Sequence, residues 1–281
     1  IWHNKNFTFY KCDINDSHKL DKVFLNNKFD GVIHLAAIVG DPACKLHSDL
    51  AIKTNFESSK KLLEISKNAK VSKFIFASTC SNYGKMDDPN AYVDENSKLA
   101  PVSLYAELKV KFEKYMLSET KKIDGFFPTS LRFSTVYGLS PRMRFDLTIN
   151  EFTKDIYLNK RLDVYDIDTW RPYCHIKDFS RLIHKVMNSK KSKVHFQVFN
   201  AGLTSNNFTK KMIIERILKY IKSDKINYLE KGKDKRNYKV DFSKLKKKLN
   251  FNIKYSVDFG IQEIIQWLKK NKKLNFNKLG N

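Results

Sequence analysis

Short apolar segments that alternate with long amphipathic segments constrain the fold of this chain more than any other feature. The apolar runs, each five to seven residues long, lie at residues 7–11, 31–37, 73–78 and 129–133. Segments with apolar residues at helical spacing lie between them, at 17–26, 48–67 and 103–120. Such alternation is typical of β-α-β units, in which helices cover both faces of a parallel sheet. The sequence therefore predicts an α/β fold.

The alternation loosens from about residue 140, which indicates a second domain. Further helices are expected there, joined by Lys/Asn-rich connections, at 145–158, 177–188, 207–222 and 256–269. We predict a first domain at 1–139, to which residues 170–200 return, and a smaller second α/β domain at 140–281.

The net charge of +23 raises the question of a nucleic-acid partner. The basic residues are 45 Lys and only 8 Arg, and the Lys residues are spread along the whole chain. Nucleic-acid surfaces favour Arg, because its planar guanidinium bonds phosphate and guanine through two donors. We interpret the Lys residues as solvated faces and expect no nucleic-acid partner.

The Cys, His and hydropathy patterns indicate that the chain is neither a metal-binding, a disulfide-rich nor a membrane-spanning protein. The four Cys lie far apart without a C-x-x-C pair, and the seven His lack metal-ligand spacing, so neither a metal site nor a disulfide framework is expected. A reducing, cytoplasmic location fits this pattern. No apolar stretch approaches the ~20 residues of a membrane-spanning helix, so no membrane partner is expected. Because the chain begins with Ile1, without a signal peptide, we expect it to lack its true N-terminus.

A Tyr and a Lys four residues apart share one face of a helix, where the ammonium can stabilise the phenolate. A Tyr pKa lowered by roughly three units, equal to about 4 kcal/mol, would suit acid–base chemistry near neutral pH. With 13 Tyr and 45 Lys in 281 residues, chance alone predicts about two such pairs, and two occur, Tyr105/Lys109 and Tyr173/Lys177. Only Tyr105/Lys109 begins a strongly amphipathic segment, so we expect this pair to be the functional one.

Small hydroxyl residues follow the apolar run at 73–78. Because ligands of parallel sheets bind beyond the carboxyl ends of the strands, Thr79 and Ser81 are candidates to bond a substrate hydroxyl. A plain Ser/Thr-rich turn is the alternative for this segment.

Taken together and in order, the motifs of nearly the whole chain resemble those of the extended short-chain dehydrogenase/reductases, the NAD-dependent nucleotide-sugar epimerase/dehydratase family. They are DI (13–14), IHLAA (33–37), Asn55, TCSNYG (79–84), YAELK (105–109), LRFSTVYG (131–138), WRPYCHIKD (170–178) and DKRNY (234–238) with its continuation DFSKL (241–245). The resemblance implies a Rossmann-like doubly wound parallel sheet, an NAD cofactor bound by the first domain (1–139), a nucleotide-diphosphate sugar bound mainly by the second (140–281), and a homodimer.

The resemblance also implies roles for individual residues. Thr79, Tyr105 and Lys109 would be catalytic: Tyr105 would take the proton from the C4 hydroxyl of the sugar as hydride leaves for NAD. The cofactor would contact Asp13, Ile14, Leu35, Ala36, Ala37, Asn55, Tyr105, Lys109 and Ser134. The substrate would contact Ser81, Thr135, Asn150, Arg171 and Arg236.

Arginine is scarce, and five of the eight lie in or beside these motifs, at Arg132, Arg142, Arg144, Arg171 and Arg236. The resemblance assigns Arg171 and Arg236 to the substrate diphosphate, which a guanidinium binds through two donors. For Arg142 and Arg144, a surface pair at a helix start is the alternative.

The chain departs from the family pattern in three places. No G-x-G occurs among its nine Gly, so the glycine-rich turn that seats the NAD pyrophosphate is missing, and with it the first β-α-β unit. We therefore expect weak or no NAD binding and a poorly covered sheet edge; NADP is not excluded. Thr135 stands where Asn is common. Cys80 and Ser81 stand where the 4,6-dehydratases have Asp and Glu, so the chemistry is predicted to stop at C4.

Two further interpretations remain from the sequence. One is a catalytically inactive binding or regulatory relative, or an inactive fragment, of the same fold. The intact Thr79, Tyr105 and Lys109 set favours an enzyme over this alternative. The other is a basic nucleic-acid binder, which only the net charge supports.

Overall fold

The strands of this α/β chain form three sheets within the residues that the computed structural model describes, which are 4–86, 88, 91–120, 124–230, 232 and 236–271. The strands are β1 (Gly31–His34), β2 (Lys73–Thr79), β3 (Phe127–Phe133), β4 (Thr135–Tyr137), β5 (Leu162–Tyr165), β6 (Trp170–His175), β7 (Gln197–Ala201), β8 (Asn207–Thr209) and β9 (Ile226–Leu229). The sheet orders are β1-β2-β3-β7, β4-β6-β8 and β5-β9. The pairs β1–β2, β4–β6 and β5–β9 are parallel, and β6–β8 is antiparallel.

Helices separate most of these strands, as the alternation predicts. They are α1 (Ser17–Leu25), α2 (Asp41–Leu46), α3 (Ser48–Ile52), α4 (Ser58–Asn68), α5 (Leu104–Glu119), α6 (Thr148–Tyr157), α7 (Ile176–Met187), α8 (Lys191–Val194), α9 (Lys210–Leu218), α10 (Ser243–Leu249) and α11 (Val257–Lys270). Several begin at a side chain that accepts a bond from a first-turn amide, such as Asp16 for α1, Ser103 for α5 and Ser256 for α11. Among the described residues, no helix is both long and apolar enough to cross a membrane.

The chain divides into two compact units that interleave along the sequence. The first unit comprises Ile1–Ala77, Ser103–Ser130 and Val194–Gln197. The second comprises Ser78–Val102, Leu131–Lys193 and Val198–Asn281. The predicted assignment of cofactor binding to 1–139 and of substrate binding to 140–281 stays a prediction.

Each unit has its own apolar core. In the first unit, Phe74 and Phe76 of β2 pack with α4 and α5 around Phe112, whose ring centroid lies 4.7 Å from that of Phe76. In the second unit, apolar faces of α6, α9 and α11 pack together, with Ile149, Ile213 and Ile264 almost fully buried. Burial of these faces gives both units the hydrophobic free energy that a stable fold needs.

The predicted strand at residues 7–11 is wrong. These residues have no regular secondary structure, and β1 is an edge strand of its sheet. The alternation of Phe7 and Phe9 favours a strand locally, but a strand also needs a neighbour for its backbone hydrogen bonds. The apolar run at 31–37 is likewise a strand only to His34.

The predicted helix at 48–67 is present but is interrupted by a π-helical turn at Lys53–Glu57, between α3 and α4. Ser58 N donates there to Lys53 O, five residues earlier. A π turn inserts about one residue and rotates the helix face that follows it. The helical spacing in the sequence predicts Leu50, Leu62 and Leu63 as core residues; Leu50, before the turn, is 48% exposed, whereas Leu62 and Leu63, after it, are buried.

The predicted helix at 207–222 begins later, because Asn207–Thr209 pairs with β6 as strand β8. Thr209 then accepts a hydrogen bond from Met212 N and starts α9. The helix predicted at 145–158 begins at Thr148.

Candidate active site

Thr79 is the last residue of β2 and is 8% exposed. Its Oγ1 accepts a hydrogen bond of 3.1 Å from Ser81 N and so caps the short 3₁₀ helix Cys80–Tyr83. Because the hydroxyl accepts from the backbone, its own proton is available for donation to a ligand oxygen.

Tyr105 and Lys109 lie on one face of the first turns of α5, whose N-cap is Ser103. The Lys109 Nζ is 5.8 Å from the centroid of the Tyr105 ring. Nζ also donates a 2.7 Å hydrogen bond to Ala77 O and lies 4.7 Å from the centroid of the Phe76 ring. The helix thus places the ammonium beside the phenol ring and against β2, two residues before Thr79.

Lys109 is only 3% exposed. Burial disfavours its charged form and lowers its pKa to about 8. Near neutral pH the ammonium therefore stays largely protonated, as a cation in a nearly dry environment. Its attraction for a developing phenolate is stronger there than it would be in water.

The second Tyr/Lys pair has a different geometry. Tyr173 is buried in β6, whereas Lys177 lies in the first turn of α7, so no single helix carries both. Lys177 Nζ instead pairs with Glu263 at 2.5 Å. The helical context that distinguishes Tyr105/Lys109 in the sequence also distinguishes it in the structure.

The residues that the resemblance assigns to the cofactor lie mostly on two segments of the first unit. Asp13 and Ile14 form a turn before α1, and Leu35, Ala36 and Ala37 follow β1. Asp13, Leu35 and Ala36 are exposed, Leu35 by 57%. Ser134 belongs to the second unit, where its Oγ donates to Ala201 O at 2.9 Å.

Asn55 lies in the π-helical turn and is 2% exposed. Its Oδ1 accepts from Ile38 N at 2.8 Å, and its Nδ2 donates to Ile38 O at 2.9 Å. The amide therefore fixes the backbone just beyond Ala37.

The second unit brings together three of the predicted substrate residues. Arg236 Nη1 donates to Ser81 Oγ at 3.3 Å, and the Tyr238 hydroxyl is 3.5 Å from the same oxygen. The Arg171 guanidinium lies 5.3 Å from the centroid of the Tyr238 ring and is 6% exposed. Arg236 thus bonds Ser81, and Arg171 lies beside Tyr238, whose hydroxyl is close to the same Ser81 oxygen; two guanidinium groups in one cluster suit a diphosphate. Asp234 and Lys235 of this motif lie outside the described residues.

Asn150 is not part of this group. Its Oδ1 accepts from Gly138 N at 3.0 Å, and its Nδ2 donates to Arg144 O at 3.0 Å. Arg144 forms an ion pair with Asp146, and Arg142 is exposed. Asn150 thus holds the loop that carries both arginines. Thr135, another predicted substrate residue, is the first residue of β4 and is half-buried.

Several polar residues near the predicted cofactor segments of the first unit have no role among those that the sequence predicts. Asn15 bonds Thr54 and Ser58, and His34 Nε2 lies 2.8 Å from Ser59 Oγ. Burial lowers the pKa of His34 to about 3, so its imidazole is neutral near pH 7. The sequence hints at them only through Thr54, Ser58 and Ser59, three hydroxyl residues in a segment with apolar residues at helical spacing. Exposed hydroxyl residues give the same pattern, so the sequence does not show that these are buried.

Residues 2–202 match the model of the NAD dependent epimerase/dehydratase family. A UDP-glucuronate 4-epimerase from Thermodesulfobacterium geofontis is 32% identical over 273 residues, covering 95% of this chain and 81% of that protein.

Two solved structures of similar proteins share the fold. The UDP-glucose 4-epimerase of Thermotoga maritima, determined with UDP-glucose, has a TM-score of 0.85 and 26% identity, covering 96% of this chain and 86% of that one. The UDP-glucuronic acid 4-epimerase of Bacillus cereus, in complex with UDP-glucuronic acid and NAD, has a TM-score of 0.82 and 27% identity, covering 96% and 83%. These likenesses confirm the predicted Rossmann-like α/β fold.

Proposed function

Because this chain belongs to the NAD-dependent epimerase/dehydratase family, we propose that it is a nucleotide-sugar epimerase that acts at C4 of the sugar and uses NAD. The observation that carries this proposal is the buried ammonium of Lys109 beside the Tyr105 ring. Burying an ammonium is costly, and the hydrogen bond to Ala77 O and the contacts with the Phe76 and Tyr105 rings offset part of that cost. An acid–base pair gains a phenol that titrates nearer to neutral pH.

The residues of the first unit fit a dinucleotide. An ammonium has three donors, and Ala77 O is the hydrogen-bond partner of Lys109 Nζ among the described residues, which leaves donors for ribose hydroxyls. The exposed side chains of Leu35 and Ala36 offer an apolar surface to a flat ring. NAD would be held by Asp13, Ile14, Leu35, Ala36, Ala37, Asn55, Tyr105, Lys109 and Ser134. When bound, NAD supplies hydride acceptance from C4 and hydride return to it.

The chain's own groups move the proton. Tyr105, as a phenolate stabilised by Lys109, takes the proton of the C4 hydroxyl and later returns it. The resemblance assigns Thr79 to a hydrogen bond with the C4 oxygen, and the Thr79 proton is available for donation because Oγ1 already accepts from Ser81 N. With bound NAD supplying hydride exchange at C4, this proton transfer in both directions would allow the C4 epimer to form.

Arg171, Arg236 and Ser81 would bind the diphosphate of the substrate, with Thr135 and Asn150 as further substrate residues. Guanidinium groups stay charged at every accessible pH and bind phosphate oxygens through paired donors. The proximity of Arg236 to Ser81 and of Arg171 to Tyr238 supports a shared anion site in the second unit. UDP-glucuronate is the first substrate to test, because a relative that is 32% identical is a UDP-glucuronate 4-epimerase.

The test is the replacement Tyr105→Phe, with Tyr115→Phe on the same helix as the matched control. The chain is incubated with UDP-glucuronate and with NAD at concentrations high enough to offset the weak binding expected without a G-x-G turn, and the C4 epimer is separated and identified by NMR. We expect Tyr105→Phe to lower kcat by about 10²–10⁴-fold, since it removes the acid–base group, and Tyr115→Phe to leave it unchanged. Equal rates for Tyr105→Phe and the unaltered chain would refute the proposal. NAD binding without turnover of any nucleotide sugar would instead favour the inactive relative.

A further inference from the structure

The π-helical turn and the first turn of α4 bury four polar side chains, Thr54, Asn55, Ser58 and Ser59. They are between 1% and 8% exposed. Buried amides and hydroxyls destabilise a fold unless they are hydrogen-bonded, so their partners indicate what they are for. We call these four residues the polar hub.

Thr54 and Ser58 of the polar hub bond Asn15, about forty residues away in the chain. Asn15 Nδ2 lies 3.1 Å from Thr54 Oγ1, and Ser58 Oγ donates to Asn15 Oδ1 at 2.7 Å. Asn15 in turn donates to Asp13 Oδ1 through its backbone N at 2.8 Å and through Nδ2 at 3.0 Å. One carboxylate oxygen of Asp13 is therefore fixed from the helix through Asn15.

The other two residues of the polar hub hold the chain after β1. Asn55 bonds both polar backbone atoms of Ile38, and the Ser59 hydroxyl lies between the His34 imidazole and the carbonyl oxygen of Asn55, 3.0 Å from the latter. Because Ser59 has one proton and directs it at a carbonyl, His34 Nε2 must be the donor. Residues 35–37 are thus anchored on both sides.

We propose that the polar hub is a positioning element that presents two segments, 13–14 and 35–37, to a bound dinucleotide, and that Asn15 is the positioning residue for the Asp13 carboxylate. The identity of the ligand rests on the proposed function. The arrangement explains why polar residues interrupt a buried helix face, and why this occurs at a π turn. That turn leaves backbone carbonyls for side chains to bond.

The experiment compares Asn15→Ala with Asn27→Ala. Asn27 also makes side-chain hydrogen bonds in the first unit, to Tyr10 and Val23, but touches neither the polar hub nor Asp13. Amide hydrogen exchange of the ligand-free chain is measured first, and NAD and nicotinamide mononucleotide are then titrated. We expect Asn15→Ala alone to speed exchange at residues 13–16. We expect it to weaken NAD binding by roughly tenfold, as for the loss of one or two hydrogen bonds. Binding of the mononucleotide should be unchanged, because the resemblance assigns Asp13 and Ile14 to the adenine, which the mononucleotide lacks.

A second pair of variants approaches the network from the helix. Thr54→Val removes the hydroxyl at nearly constant shape and should reproduce the effects of Asn15→Ala. Thr54→Ser keeps the hydroxyl and should behave like the unaltered chain. Unchanged exchange at 13–16 in both Asn15→Ala and Thr54→Val would overturn the inference. If the unaltered chain binds no NAD, the proposed cofactor chemistry fails, and the exchange data on the ligand-free chain still decide whether the polar hub orders these segments.

Discussion

Lys109 determines how the proposed reaction should respond to pH. Burial lowers its pKa from 10.5 to about 8, so the folded chain loses this proton as pH rises through about 8. Between pH 8 and pH 10.5 the unfolded chain keeps the Lys109 proton while the folded chain has lost it. The free energy of unfolding therefore rises with pH across this range as far as Lys109 is concerned. Activity should change in the opposite direction, because the Tyr105 phenolate then loses its neighbouring cation.

We therefore predict that kcat/KM falls above pH about 8 and that Lys109→Met abolishes this alkaline limb. The variant should lose activity by about 10²–10⁴-fold near pH 7. Its melting temperature should not fall, because methionine of similar length leaves no buried charge. Lys114→Met, an exposed position on the same helix, is the control and should keep the profile of the unaltered chain. An alkaline limb that persists in Lys109→Met would assign the titration to another group.

The 3₁₀ turn after Thr79 depends on Gly84, which ends it with φ of +68°. A Cβ at Gly84 would overlap the carbonyl oxygen of Ala100, and backbone atoms cannot rotate away as a flexible side chain can. Gly125 has a similar φ of +81°, but a Cβ there would meet nothing within 4 Å. A side chain at Gly125 would therefore add backbone strain alone, whereas a side chain at Gly84 would add both backbone strain and steric overlap.

We predict that Gly125→Ala lowers the free energy of unfolding by about 1–2 kcal/mol, the cost of a left-handed residue with a side chain. Gly84→Ala should cost at least twice as much and should also lower kcat, because Ser81 N and Thr79 Oγ1 must shift with the turn. Urea unfolding measures the first effect, and the epimerase assay measures the second. Equal losses of stability in the two variants would show that Ala100 does not constrain the turn.

Local signals explain which elements were predictable from sequence. Helix α5 combines a Ser103 cap with apolar residues at helical spacing, so its bounds agree with the prediction to within a residue or two. The segment at 7–11 has the local pattern of a strand, but no strand in the described part of the chain pairs with it, and a local pattern does not report such a neighbour. The π turn adds a single residue to the helical period of the segment at 48–67. The spacing of apolar residues over the whole segment stays helical on average, so the sequence pattern does not reveal the turn.

At the scale of the whole molecule, the family and fold were predictable because many weak motifs occur in a fixed order along the chain. The Tyr105/Lys109 pair was also predictable, since helical spacing is a local property. The burial of Lys109 against Ala77 O and the bonds of Asn15 to Thr54 and Ser58 were not. These contacts join residues more than thirty positions apart. In the sequence, Lys109, Asn15, Thr54 and Ser58 look like ordinary polar surface residues, so nothing local indicates that they are bonded to each other or buried.

The two residues after Thr79 decide the scope of the proposed reaction. Elimination of water across C5 and C6 needs its own acid and base. Cys80 is fully buried and its Sγ donates to Arg132 O at 3.1 Å, while Ser81 bonds Arg236, so neither position supplies a carboxylate. We expect the chain with NAD to produce C4 epimers from UDP-glucuronate and UDP-glucose and to leave dTDP-glucose without dehydration.

Mass spectrometry and NMR of the sugar products measure both reactions in one incubation, so epimer formation serves as the control for an active enzyme. A 4-keto-6-deoxy sugar formed by the unaltered chain and absent with Tyr105→Phe would contradict the prediction. It would mean that an acid and a base outside positions 80 and 81 perform the elimination. Epimers without loss of water would instead limit the chemistry to the C4 oxygen, for which the Tyr105 phenol and the Lys109 ammonium supply the acid–base chemistry.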